Sequence, residues 1–246
     1  MVIDISRSVL VMIDVQNDFC PGHTRSDGNV IPPGNLAVSD GNAVVSPLNR
    51  LAYRFHNEGG RVVATQDWHP AGHVSFASAH PGTSVYDTLT IALPEYRQGL
   101  QNPPRSGDVP PPSAIDQTLW PDHCVQATPG AGFHPDLNLN LVHLVLRKGY
   151  HANLDSYSAF YENDRRTPTG LDGWLRNLGV GTLFLGGLAT DFCVMYSALD
   201  AVRHGYETVL LLDASRGVDL PRGSVDRSLA LMRGSGVHFM ESGDLA

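Results

Sequence analysis

Three cysteines, Cys20, Cys124 and Cys193, are all that the 246 residues contain, odd in number and far apart. A disulfide framework is therefore not the organising device, at least one thiol is free, and a reducing compartment, the cytoplasm, fits that count. The chain also lacks any Lys/Arg run, and 17 basic against 25 acidic side chains leave a formal charge of -8. A surface of that sign does not neutralise nucleic-acid phosphates, so a small-molecule partner is expected. Long apolar runs are missing as well. The first one, residues 9–13, is too short for the core of a signal peptide or for a membrane span. No internal repeat is present.

What the chain does have is 42% hydrophobic residues, enough for one sizeable core, and a single domain over 1–246 is expected. Apolar, β-branched runs at 9–14, 61–65, 141–146, 182–186, 208–213 and 237–240 alternate with helical periodicity at 43–57, 171–178, 191–204 and 225–233. Most of these runs show no polar alternation, as expected of strands covered on both faces. The reading is an α/β three-layer sandwich with a central six-stranded parallel sheet. Between about 81 and 118 the pattern fails around the Pro-rich run PPRSGDVPPPS, which is read as a long surface insertion.

In such sheets the ligand crevice lies beyond the carboxyl ends of the strands. Asp14, Asp67 and His69, Arg147 and Lys148, and Asp191 and Cys193 all follow apolar runs, and are expected to converge. Cys193 follows a Gly-Gly turn at a helix start that Thr190 is placed to cap, where backbone N–H groups and a nearby Lys148 would favour a thiolate. Asp14 would then exchange a proton with the thiol and with a departing amine. Each residue alone has a plainer reading. Cysteine is a common small core residue, a strand-end aspartate such as Asp14 or Asp213 often only caps, and most lysines are solvated.

A second constellation is Asp67-x-His69 with His123 arriving in LWPDHC. One carboxylate and two imidazoles suit a borderline divalent ion, zinc before iron or manganese, and three protein ligands leave positions open for water and substrate. His73 is either a substitute ligand or a supporting group. With 11 histidines in the chain, the D-x-H spacing by itself is weak.

The blocks VMIDVQNDFCPG, TQDWHPAGHVSFASAHPG, LWPDHCVQATPGAGFHP, RKGYHANLDSYSAF and LFLGGLATDFCV occur in this order. Through them the chain resembles nicotinamidases (pyrazinamidases) of the isochorismatase-like cysteine hydrolase superfamily, over nearly its full length. The resemblance implies hydrolysis of nicotinamide to nicotinate and ammonia through a cysteine thioester, in NAD salvage. It implies Asp14, Lys148 and Cys193 as catalytic residues and Asp67, His69 and His123 as metal ligands. It further implies Phe19, Trp120 and Tyr157 as an aromatic slot for a pyridine ring, and a cis peptide at Leu188–Ala189 that lets the N–H groups of Ala189 and Cys193 form an oxyanion hole. The insertion and the segment HANLDSYSAFYENDRRTPTG depart from the shortest family members. That departure leaves the entrance, lid and oligomer contacts open, and self-association into a homo-oligomer is expected. Two alternatives stay open: an amidohydrolase of the superfamily with the same triad, acting without metal on a carbamoyl or ureido compound, and a non-catalytic binding or assembly protein of the same fold.

Overall fold

The computed structural model describes residues 3–24, 28–93 and 113–245. Six strands, β1 (Ser8–Ile13), β2 (Arg61–Asp67), β3 (Leu144–Lys148), β4 (Thr182–Leu188), β5 (Glu207–Arg216) and β6 (His238–Met240), pair in parallel in the order β6-β5-β4-β1-β2-β3. Helices α1 (Val45–Asn57), α2 (Leu171–Asn177), α3 (Met195–Arg203) and α4 (Ser224–Gly234) cover the two faces.

The faces follow from the two-residue period of a strand. Leu10 and Met12 of β1 pack with Leu48, Leu51 and Phe55 of α1 on one side. Val9, Val11 and Ile13 pack on the other with Leu171 and Leu175 of α2, Met195 and Ala198 of α3 and Met232 of α4. Every residue of β1 is buried, which explains its unbroken apolar run. Full burial of one such side chain contributes about 1.5–3 kcal/mol, so a single charged substitution at Leu10 or Val11 would cost more than a small domain can spare.

The chain steps from β1 through β2 to β3 in one direction, returns to β4, and steps through β5 to β6 in the other. Right-handed crossovers then place α1 on one face and α3 and α4 on the opposite face. The reversal lies between β1 and β4, where a crevice opens beyond the strand ends. Gly187 makes that junction close: its φ is +127°, and a Cβ there would overlap the Ile13 carbonyl.

Several boundaries differ from the sequence expectation. The third strand starts at Leu144, because Leu139–Leu141 form a 3-10 turn in which the Asn138 side chain accepts from Asn140 N. The helix expected over 191–204 begins as a π-helical turn, Thr190–Val194, before α3. Thr190 is thus inside the turn; Ala189 precedes it and no side chain caps it. The insertion is not structureless at its ends: Thr88–Ala92 pairs antiparallel with Ala114–Thr118. Most of the Pro-rich run, residues 103–112, lies outside the described residues. No helix among the described residues is long and apolar enough to cross a membrane.

Candidate active site

Asp14 leaves β1 with φ +47° and is fully buried. Its N–H donates to Thr65 Oγ1 at 3.0 Å, and the Thr65 hydroxyl donates back to Asp14 Oδ1 at 2.6 Å. Lys148 closes β3, two strands away and also fully buried. Its Nζ lies 2.9 Å from Asp14 Oδ2, pairs with Asp67 Oδ1, donates to Ser156 O at 2.9 Å, and reaches Cys193 Sγ at 3.5 Å. Cys193 arrives from β4 through the π-helical turn, a geometry frequent at functional sites. Residues from three strand ends thus meet at one ammonium group.

Burial sets the protonation of this cluster. It pushes the Asp14 carboxyl up to about 6, with Lys148 pulling down and Asp67 pushing up. Asp67 is also desolvated, but Lys148, His69 and His123 outweigh that and hold it below the usual carboxylate range. Lys148 is desolvated too, yet its two carboxylates and the Cys193 sulfur keep it firmly charged. The Cys193 thiol behaves opposite to the sequence expectation. Burial, with Asp14 and Asp67 nearby, lifts it well above the ordinary thiol value despite Lys148. The cluster thus favours the thiol form of Cys193, with the Asp14 carboxylate beside it.

Asp67, His69 and His123 are all buried, with ligand atoms within 4.8 Å of one another. His69 Nδ1 lies 2.8 Å from Gly149 O and His123 Nδ1 lies 2.8 Å from Pro121 O. Carbonyls only accept, so both rings carry a proton on Nδ1, and Nε2 is the nitrogen each ring offers to a cation. His69 Nε2 is 3.7 Å from Asp67 Oδ2, the oxygen not engaged by Lys148. Gly149 makes its contact possible with φ +63°, and a Cβ there would sit 2.5 Å from His69 Cε1. Burial and the His69 charge pull His123 down to about 4, so it is neutral at working pH. This donor set fits a divalent cation of the zinc, iron or manganese kind.

Beside both clusters lies a small cavity of about 30 Å³, partly open to solvent. Phe19, Trp120 and Tyr157 line it, as do Ala189 and Cys193, with Asp67, His69 and His123 at one side. The Leu188–Ala189 peptide is cis. Sequence reasoning missed Phe192, which meets Trp120 edge-on at 4.8 Å between centroids. An aromatic residue next to the nucleophile candidate was the available signal. Asp155 lines the cavity too and carried no sequence signal.

Other candidates fall outside the centre. His73 stacks on His69 at 4.3 Å, with Nδ1 on the Ser75 hydroxyl and Nε2 on Leu154 O, so both its ring nitrogens are engaged. Asp191 turns away to accept from Val218 N, Asp219 N and Ser224 Oγ. Arg147 alternates to the other side of β3, over the Trp68 ring at 3.8 Å.

Comparison with known proteins gives the family and the fold. The isochorismatase domain model matches residues 8–244. The nicotinamidase of Acinetobacter baylyi is 40% identical over 237 residues, covering 96% of this chain and 94% of the relative. Among solved structures, a nicotinamidase and pyrazinamidase of Acinetobacter baumanii superposes with a TM-score of 0.80 at 42% identity, covering 98% and 99% of the two chains. The pyrazinamidase of Pyrococcus horikoshii, in complex with zinc, gives 0.66 at 29% identity, covering 96% and 99%.

Proposed function

The chain belongs to the isochorismatase domain family, and on that premise we propose that it hydrolyses nicotinamide to nicotinate and ammonia through a thioester on Cys193. The observation that carries the reading is the single contact set of Lys148 Nζ, which joins Asp14 to Asp67 and Cys193, two residues that line a small aromatic cavity.

The proposed steps use this chain's own groups. Phe19, Trp120 and Tyr157 hold the flat ring. Asp14, ionised above about 6, takes the Cys193 proton as the sulfur attacks the carboxamide carbon. Lys148 stays charged, keeps the carboxylate aimed at the sulfur, and stabilises the thiolate as it forms. The N–H groups of Ala189 and Cys193 receive the developing oxyanion. Asp14 returns its proton to the nitrogen, the C–N bond breaks, ammonia leaves, and the acyl group remains on sulfur. Water then attacks the thioester carbon while Asp14 accepts its proton. The C–S bond breaks, nicotinate departs, and the proton on Asp14 returns to the thiolate. Asp67, His69 and His123 would hold a divalent cation, zinc by preference, which would supply Lewis-acid polarisation beside the ring. We place the enzyme in the cytoplasm, where its three cysteines stay free, and its product in NAD salvage.

The test is ammonia release from nicotinamide by purified protein, before and after chelation and metal return, with Cys193→Ala as control. Chelator-sensitive release that Cys193→Ala abolishes is expected. No release with metal restored, or release from a ureido compound instead, would overturn the assignment.

A further inference from the structure

The second strand of the insertion ribbon, Ala114–Thr118, buries one residue, and it is polar: Gln117 is 1% exposed. A buried amide on an otherwise open ribbon calls for an explanation from its partners. Its Nε2 shares two hydrogens among three acceptors, Asp155 Oδ2 at 2.9 Å, Tyr157 Oη at 3.0 Å and Thr118 O at 2.8 Å. Its Oε1 accepts from Asn163 Nδ2 at 3.4 Å, and Asn163 Oδ1 in turn accepts from Tyr157 N at 3.0 Å. Gln117 therefore grips Tyr157 at the ring hydroxyl and, through Asn163, at the backbone.

The hydroxyl has a second donor, Trp120 Nε1 at 3.2 Å. Two donors use the acceptor capacity of a phenolic oxygen, so its own hydrogen must go elsewhere. Among the described residues no acceptor receives it, and Tyr157 lines the cavity. We infer that Gln117 is a positioning residue that fixes the Tyr157 hydroxyl as a hydrogen-bond donor to the carboxamide oxygen, beside the Ala189 and Cys193 N–H groups, and so builds the insertion into the substrate pocket. Without the Nε2 donor the hydroxyl loses one of the two contacts that fix its orientation, and a ligand acceptor loses its partner. The inference rests on the pocket reading given under Proposed function, and selects for ligands that present an acceptor to this wall.

The experiment measures nicotinamide affinity by calorimetry in metal-loaded Cys193→Ala protein, so that binding is read without turnover. Gln117→Met, Tyr157→Phe and the double variant are compared, with melting temperatures alongside. Each single variant is expected to weaken binding by about three- to tenfold, the range of one hydrogen bond. The double variant is expected to be no weaker than the weaker single one, because both remove the same contact. Unchanged affinity in Tyr157→Phe, which keeps the ring, overturns the inference even if Gln117→Met folds poorly. So does a lower melting temperature in Gln117→Met with unchanged affinity, or effects that multiply in the double variant. A parent that binds no nicotinamide would instead overturn the pocket reading itself.

Discussion

Asp14 and Asp191 sit beyond the ends of neighbouring strands, β1 and β4, and both are buried. Asp191 is met by neutral donors alone: two backbone N–H groups, Val218 at 2.9 Å and Asp219 at 3.0 Å, and the Ser224 hydroxyl at 2.5 Å. Asp14 is met by one hydroxyl and one ammonium, and that ammonium is shared with a second carboxylate and a thiol. The first arrangement clamps a loop and has nothing to exchange. The second holds a base in tension between a cation and low dielectric, which is what a proton carrier needs. Residue type and strand-end position do not distinguish them; the partners do.

Neutralising each carboxylate separates the two roles most widely. Asp14→Asn is expected to lower kcat/KM by about 10³-fold with the melting temperature little changed, since general-base work is worth about 10²–10⁴-fold. Asp191→Asn is expected to keep most of kcat and to lose about 1.5–3 kcal/mol of stability, the worth of hydrogen bonds to a charged group. Steady-state kinetics with denaturant melts would decide, and equal kinetic losses would erase the distinction.

The same contrast applies to the histidines. His123 presents a free Nε2 lone pair, whereas both His73 nitrogens are engaged. His123→Ala should abolish stoichiometric metal binding, read by elemental analysis after gel filtration. His73→Ala should retain it with an affinity about 10–100-fold weaker, as for other supporting residues. Full metal loss from His73→Ala would make it a ligand.

A smaller effect concerns acidity. In the proposed mechanism Asp14 must be ionised to take the thiol proton, and its raised value of about 6 predicts activity above that pH, lost as pH falls through it. A cation on Asp67 would offset the charge that helps raise Asp14, so the acid limb of kcat/KM should have its midpoint at or below about 6. A midpoint above 7 would point to another titrating group.

Much of this was legible in the sequence, for physical reasons that also mark where legibility ends. Strands buried on both faces read as plain apolar runs, so all six were located. Their ends blurred where polar residues or glycine continue the ladder: Asp67 pairs with Lys148 and Gly187 with Ile13. Leu139–Leu141 misled in the other direction, since an apolar 3-10 turn has the composition of a strand. Asp14, Lys148 and Cys193 were nominated by position, and Lys148 had a further signal in composition. Of the 17 basic residues it is the one lysine, and a solvated surface lysine rarely stands alone. The raised thiol value was not legible, because position shows an ammonium nearby but not how far water is excluded. Gln117 was hidden by the Pro-rich run beside it, although the strand it occupies pairs in regular register.

The most direct test of the account is the mass of the acid-quenched enzyme after brief mixing with excess nicotinamide. The account predicts a fraction of chains carrying one nicotinoyl group in place of a hydrogen, mapped to the peptide that contains Cys193 and absent in Cys193→Ala. Sustained ammonia release with no such adduct under conditions where the acyl step outruns hydrolysis, or an adduct on Cys20 or Cys124, would contradict it.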